Sequence, residues 1–168
     1  YRGKMLRPSL VLVTAAAVRP DVPEASEAHR VVATVVEMVH MATLVHDDIL
    51  DEADVRRRGA TINHLSGNEA AVMLGDYLIS HAYHLCSALA DQRISRAIAA
   101  TTNTVCEGEL LQLANRRNWR LDERTYFEIV RRKTASLCGS CCRLGASLAS
   151  ADPAVAEAVA AYGEKLGI

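Results

Sequence analysis

Between Val31 and Asp51 the chain reads VVATVVEMVHMATLVHDDILD, an apolar run with valines on several helical faces that ends in Asp47, Asp48 and Asp51. A helix this apolar all round does not suit a surface and belongs inside a packed bundle. Its acidic end constrains the fold just as strongly. Carboxylates at a helix C-terminus oppose the macrodipole, so a compensating cation has to reach that end. Three arginines, Arg56, Arg57 and Arg58, follow within the next turn of chain. Carboxylates that bind Mg²⁺, beside guanidinium groups that neutralise phosphate oxygens, are what a polyphosphate site requires.

The rest of the pattern is helical. Aromatic residues make up only 4 % of the chain, and alanine, leucine and glutamate dominate it. Neither strict apolar alternation nor a two-residue hairpin turn is visible. The spacing predicts a helix over Leu6 to Val18 with Pro8 in its first turn, then a long helix from about Pro23 to Leu50. Val31, Val32, Val35, Val36, Val39 and Val45 supply the buried faces of the second. A loop is expected over Glu52 to Gly67, with further helices over Asn68 to Ala90 and Asp91 to Asn115. Asp122 opens a fifth helix carrying Tyr126, Phe127, Ile129, Val130 and Leu137, and Asp152-Pro153 is an N-cap and first position for a sixth. The fold class expected is all-α, a helical bundle around a central cavity.

Composition narrows the function. Lys+Arg 19 against Asp+Glu 20 gives a net charge of −1, which points away from nucleic acid as a partner. No apolar run approaches the ~20 residues of a membrane span. Five cysteines and no signal-like start read as reduced thiols of an intracellular, cytoplasmic chain. Cys138, Cys141 and Cys142 have a zinc-like spacing but no second pair nearby, so they read as small buried hydrophobes.

At 100° per residue His40, Leu44, Asp47 and Asp51 fall within an arc of roughly 60°. Asp47 and Asp51 therefore point the same way, while Asp48 lies further round as a weaker metal ligand or a supporting one. Asp76 interrupts an apolar helix, and Glu109 and Gln112 share a face of another. Each alone reads as a hydrogen-bonded polar residue; together, on helices converging on one cavity, they become supporting partners of the site. Lys133-Thr134 alone reads as surface, although it precedes a small-residue stretch that could face the same cavity.

Taken together, Gly3-Lys4-Met5-Leu6-Arg7-Pro8, His40 seven residues before Asp47, Asp47-Asp48-Ile49-Leu50-Asp51 with its arginines, and Lys133-Thr134 resemble the trans-type isoprenyl diphosphate synthases, the polyprenyl synthetase family. Gly75-Asp76 and Glu107-Gly108-Glu109-Leu110-Leu111-Gln112 match family signatures too. The resemblance implies an isoprenoid-synthase-type bundle and a prenyltransferase. Such an enzyme ionises an allylic diphosphate with Mg²⁺ and condenses it head-to-tail with isopentenyl diphosphate. It implies that Lys4, Arg7, His40 and Arg57 bind the diphosphate of isopentenyl diphosphate. Asp47 and Asp51, with Asp48 supporting, coordinate Mg²⁺ on the allylic diphosphate, and Arg56, Lys133 and Thr134 contact that substrate. A homodimer is the expected assembly.

Two departures stand out. Counting from Asp47 makes Arg56 and Arg57 the functional pair, while counting back from Gly59 makes it Arg57 and Arg58; the count from the helix is preferred because the metal site fixes that end. The family also carries a second aspartate-rich motif on a later helix and helix before the Gly-Lys segment. Residues 1–168 therefore read as one polyprenyl synthetase domain, incomplete at both ends. In this family side-chain bulk just before the first motif limits product length. Here Ala42 and Thr43 are small, which implies a product longer than the fifteen-carbon class. The rival readings are a non-catalytic or incomplete subunit of a heteromeric synthase and a class I terpene cyclase, the latter needing neither the Gly-Lys segment nor His40.

Overall fold

The computed structural model describes residues 3–21 and 25–168. Helix α1 (Leu6–Val18) and helix α2 (Glu27–Leu50) are followed by a two-stranded ribbon, β1 (Val55–Arg56) and β2 (Gly59–Ala60). Then come α3 (Ile62–Ser87), α4 (Gln92–Ala114), α5 (Glu123–Val130), α6 (Ser136–Leu148) and α7 (Pro153–Gly167). Between α5 and α6 the residues Arg131–Ala135 form a π-helical turn.

Helix α2 is the axis. Val32, Val35, Val36, Val39 and Val45 are almost wholly buried, and Val31 packs at the edge of the same core. The helix packs most extensively on α3 and also touches α1 and α6, which explains why one apolar stripe was not enough for it. By length and composition α2 could cross a membrane, against the expectation that no run was long enough, yet half of its apolar window is buried inside the fold. Its valines are spent on neighbouring helices.

The caps follow the expected chemistry. The side chains of Asp91, Asp122 and Asp152 each accept a backbone N–H at the start of α4, α5 and α7. The expected start of the long helix at Pro23 lies outside the described residues; the helix seen there opens at Glu27 on Ser26, whose hydroxyl accepts from His29 N. The buried His29 then joins the start of α2 to α6, with Nδ1 2.8 Å from Ser26 Oγ and Nε2 3.1 Å from the carbonyl of Gly145.

Two expectations need correction. The stretch after α2 is not plain loop, because Arg57 and Arg58 form a two-residue hairpin turn between paired Arg56 and Gly59. Both central residues have positive φ, 49° and 69°, as a type I′ turn demands. Arginine is a rare choice there, which is why the turn was invisible in the sequence. Helix α3 also begins early, at Ile62 on a Thr61 cap, and Gly67 (φ 84°, ψ 163°) breaks it before the expected start at Asn68. The helix signal was right and the glycine is an internal kink.

Helices α1 and α6 approach so closely that a Cβ on Gly145 would stand 2.3 Å from the Val11 carbonyl oxygen and 3.1 Å from its carbon. Backbone cannot swing away as a flexible side chain does. Gly145→Ala should lower stability by about 1–3 kcal/mol, the usual cost of overpacking, read as a lower urea midpoint with an unchanged slope.

Candidate functional site

The last turn of α2 carries the three aspartates, and each meets a cation from a different element. Asp48 is fully buried, and its Oδ1 accepts from Arg56 Nε of the hairpin at 2.6 Å. Asp51 Oδ1 accepts from Arg116 Nη2 at 2.6 Å, while Nη1 of the same guanidinium donates to the Leu50 carbonyl at 2.6 Å. Asp47 Oδ2 lies 3.3 Å from Lys133 Nζ, which sits closer to Glu109, at 2.5 Å. The cation demanded by an acidic helix end is thus met by the chain itself.

This geometry separates the aspartates. Asp48, expected as a weaker or supporting metal ligand, is buried against Arg56 and anchors the hairpin to the helix. That ion pair also spends the Nε of Arg56. Among the described residues no three His, Cys, Asp or Glu side chains converge into a metal cage. Asp47 and Asp51 remain as a pair on one face. Such a pair fits Mg²⁺, which retains several waters and binds through one or two carboxylates plus substrate phosphates. Burial, reinforced by the charges of Glu109 and Asp51, raises the pKa of Asp47 despite the opposing pull of Lys133. Burial works against the charge on Lys133, but its hydrogen bond to Glu109 and the charges of Asp47 and Glu109 outweigh that and raise its pKa.

The π turn sets where Lys133 stands. Extra residues per turn rotate side chains relative to a regular helix, and such turns concentrate at functional sites. Gly108 on α4 lets the turn approach, since a Cβ there would lie 2.6 Å from Lys133 N and 2.8 Å from Arg132 Cβ. Arg132 secures the contact through Glu107 at 2.8 Å and Glu128 at 2.5 Å.

Two cavities meet beside these groups. One, of about 380 Å³, is mostly apolar: Leu44, Leu50, Ile79, Val105, Leu110 and Leu113 line it below Asp47, Glu109, Lys133 and Thr134. The other, of about 470 Å³, is basic, with Lys4, Arg7, His40 and Arg57 around Glu37. Arg7 and His40 border both. The buried Nε of Arg7 has no hydrogen-bond partner among the described residues. An unspent guanidinium donor in a basic cavity is suited to an anion. Burial first, then Arg7, Arg57 and Arg56, push the pKa of His40 down to about 4, so its imidazole is neutral at pH 7.

Sequence matches identify the ancestry of this arrangement: the polyprenyl synthetase family profile fits residues 1–168. The chain belongs to the polyprenyl synthetase family. It is 33 % identical over 165 residues to the octaprenyl diphosphate synthase of Escherichia coli (strain K12), covering 98 % of this chain and 50 % of that one. It is 36 % identical over 166 residues to heptaprenyl diphosphate synthase component 2 of Geobacillus stearothermophilus, covering 99 % and 51 %. A decaprenyl diphosphate synthase from Rhodobacter capsulatus superposes with a TM-score of 0.92 at 34 % identity, covering 99 % of this chain and 50 % of that one. The chain spans about half the length of these relatives.

Not every expected residue of this family member lies at the cavities. Thr43 lines the apolar one, its hydroxyl donating to the His40 carbonyl at 2.8 Å. Ala42 is fully buried and is not a wall of that cavity, because adjacent residues on a helix face about 100° apart. Asp76 is largely exposed and lines neither cavity, although His46, 3.6 Å from it, borders the apolar one. Gln112 borders neither cavity. Arg57, common to both counts, borders the basic cavity, and neither Arg56 nor Arg58 borders either cavity. Arg116 was missed. The basic run beginning there was visible, but nothing local announced a partner 65 residues earlier.

His40 generates a pH prediction. Its folded pKa, about 4, lies below its ordinary 6.5, so between those values the unfolded chain binds a proton the folded chain refuses. The stabilisation is fully present above pH 6.5 and is lost as pH falls towards 4. Unfolding in urea across that window should show a shallower pH slope for His40→Gln than for the unaltered chain; an equal slope would count against a neutral buried His40.

Proposed function

We propose that this chain forms the diphosphate-binding half of a trans-prenyltransferase that joins isopentenyl diphosphate to an allylic diphosphate. The observation that carries the reading is the junction of a basic cavity and an apolar cavity at Arg7 and His40, with Asp47 and Lys133 at the rim. Lys4, Arg7, neutral His40 and Arg57 suit the diphosphate of isopentenyl diphosphate. Lys133 and Thr134 suit the allylic diphosphate, whose tail fits the apolar cavity.

Asp47 and Asp51 would hold Mg²⁺, which would supply positive charge to offset that of the leaving diphosphate. The chain's own residues supply the rest. Lys133 neutralises the departing diphosphate as its C–O bond breaks with the electron pair going to oxygen. Glu109 holds Lys133 in place, and Asp48 holds Arg56 beside the same helix end. The apolar walls exclude water from the allylic cation, which the double bond of isopentenyl diphosphate attacks to form the new C–C bond before a proton is lost. With Thr43 small at the cavity wall, the product is longer than the fifteen-carbon class. The octaprenyl, heptaprenyl and decaprenyl names of the relatives agree with this.

Exposed Leu65, Met73 and Tyr77 on α3 suit a homodimer contact, and the free thiols suit a cytoplasmic setting. One relative is named as component 2 of its synthase, which favours, as a second reading, a chain that works with an unlike partner. A terpene cyclase leaves the basic cavity without a use.

Mg²⁺-dependent incorporation of isopentenyl diphosphate onto allylic primers tests the reading, with the 168-residue chain assayed beside a version extended to the relatives' length. Asp47→Asn in the active form should lower turnover at least ~100-fold, as loss of a key electrostatic group does; retained turnover would sink the assignment. Thr43→Phe should shorten the products separated by chromatography, and an unchanged product ladder would remove Thr43 from the control of length.

A further inference from the structure

Arg116 is absorbed by none of the roles above, yet it makes two of the shortest polar contacts at the site. Its guanidinium reaches from beyond the end of α4 to the last carbonyl of α2 and to Asp51, both at 2.6 Å. The carbonyl contact caps a helix terminus whose partial negative charge welcomes a cation. The carboxylate contact occupies an oxygen that the proposed metal pair needs. Asp47 is treated differently, because Lys133 leans towards Glu109 and is shared between the two carboxylates. The two aspartates are therefore held unequally before anything binds: Asp47 lies 3.3 Å from a shared ammonium, while Asp51 takes a guanidinium at 2.6 Å.

We propose that Arg116 is a placeholder cation on Asp51, one that a bare divalent ion must displace and that a diphosphate-bound ion displaces readily. This rests on the reading of Asp47 and Asp51 as the Mg²⁺ pair. A bare ion forces the guanidinium off Asp51 with no new anion to receive it. An ion arriving with diphosphate brings oxygens that accept the freed N–H groups, and planar guanidinium suits phosphate bidentately. Arg116 thereby couples the two ligands, and coupling is reciprocal: whatever weakens the bare ion without diphosphate favours diphosphate once the ion is present. The pair is about half exposed, 49 % and 46 %, so the effect is modest. Exposed ion pairs of this kind correspond to roughly two- to fivefold in a binding constant.

The test is titration of Mn²⁺ alone, followed by the electron spin resonance of the free ion, on the purified protein and its Arg116→Gln, Arg116→Lys and Asp51→Asn variants. Arg116→Gln should bind Mn²⁺ roughly two- to fivefold more tightly, Arg116→Lys should stay near the unaltered protein, and calorimetric binding of inorganic pyrophosphate at saturating Mg²⁺ should weaken in Arg116→Gln. The lysine variant retains a charge at the helix end, so it also separates a lost cap from a lost competitor. Mn²⁺ binding in Arg116→Gln that is equal or weaker overturns the proposal. Mn²⁺ binding indifferent to Asp51→Asn overturns the metal pair itself, and the placeholder with it.

Discussion

The neutralisation of one helix end organises this molecule. Helix α2 has to run through the middle because its valines face several neighbours, and it terminates in carboxylates that oppose its own dipole. Three different elements each deliver a cation there: the hairpin sends Arg56, the chain after α4 sends Arg116, and the π turn sends Lys133. Hairpin, α4 and the α5–α6 segment are therefore docked by charge as well as by apolar packing.

The pairings also divide the labour. Asp48 is buried and belongs to architecture, since a buried carboxylate deprived of its guanidinium is costly. Asp47, lining the apolar cavity, and the half-exposed Asp51 have partners that can be exchanged. One helical turn thus holds a permanent ion pair between two replaceable ones, an arrangement that lets a charged ligand enter without loosening the fold.

Much of this was legible in the sequence because it is written in local rules. Helix periodicity located α1 to its ends, and aspartates at their starts located α5 and α7. The helix phase placed His40, Asp47 and Asp51 on one face. What was not legible depended on contacts between distant segments. The π turn is set against Gly108 by the approach of α4, and no periodicity marks it. Arg116 finds Asp51 through the tertiary fold alone. Ala42 and Thr43 are neighbours of similar size, and only the packing of α2 decides that one is core and the other cavity wall. The hairpin was missed because its residues disobey turn preferences.

That disobedience has a consequence of its own. An L-residue held at positive φ costs about 1–2 kcal/mol, and this turn bears the cost twice, at Arg57 and Arg58. Glycine at position 58, an exposed residue outside both cavities, would relieve the backbone and leave the site's charge intact. Glycine at position 57 would relieve it equally and strip a cation from the basic cavity. The two halves of one tight turn are thus unequal targets for engineering: one offers stability at no loss of charge, and the other exchanges rigidity for an emptier field.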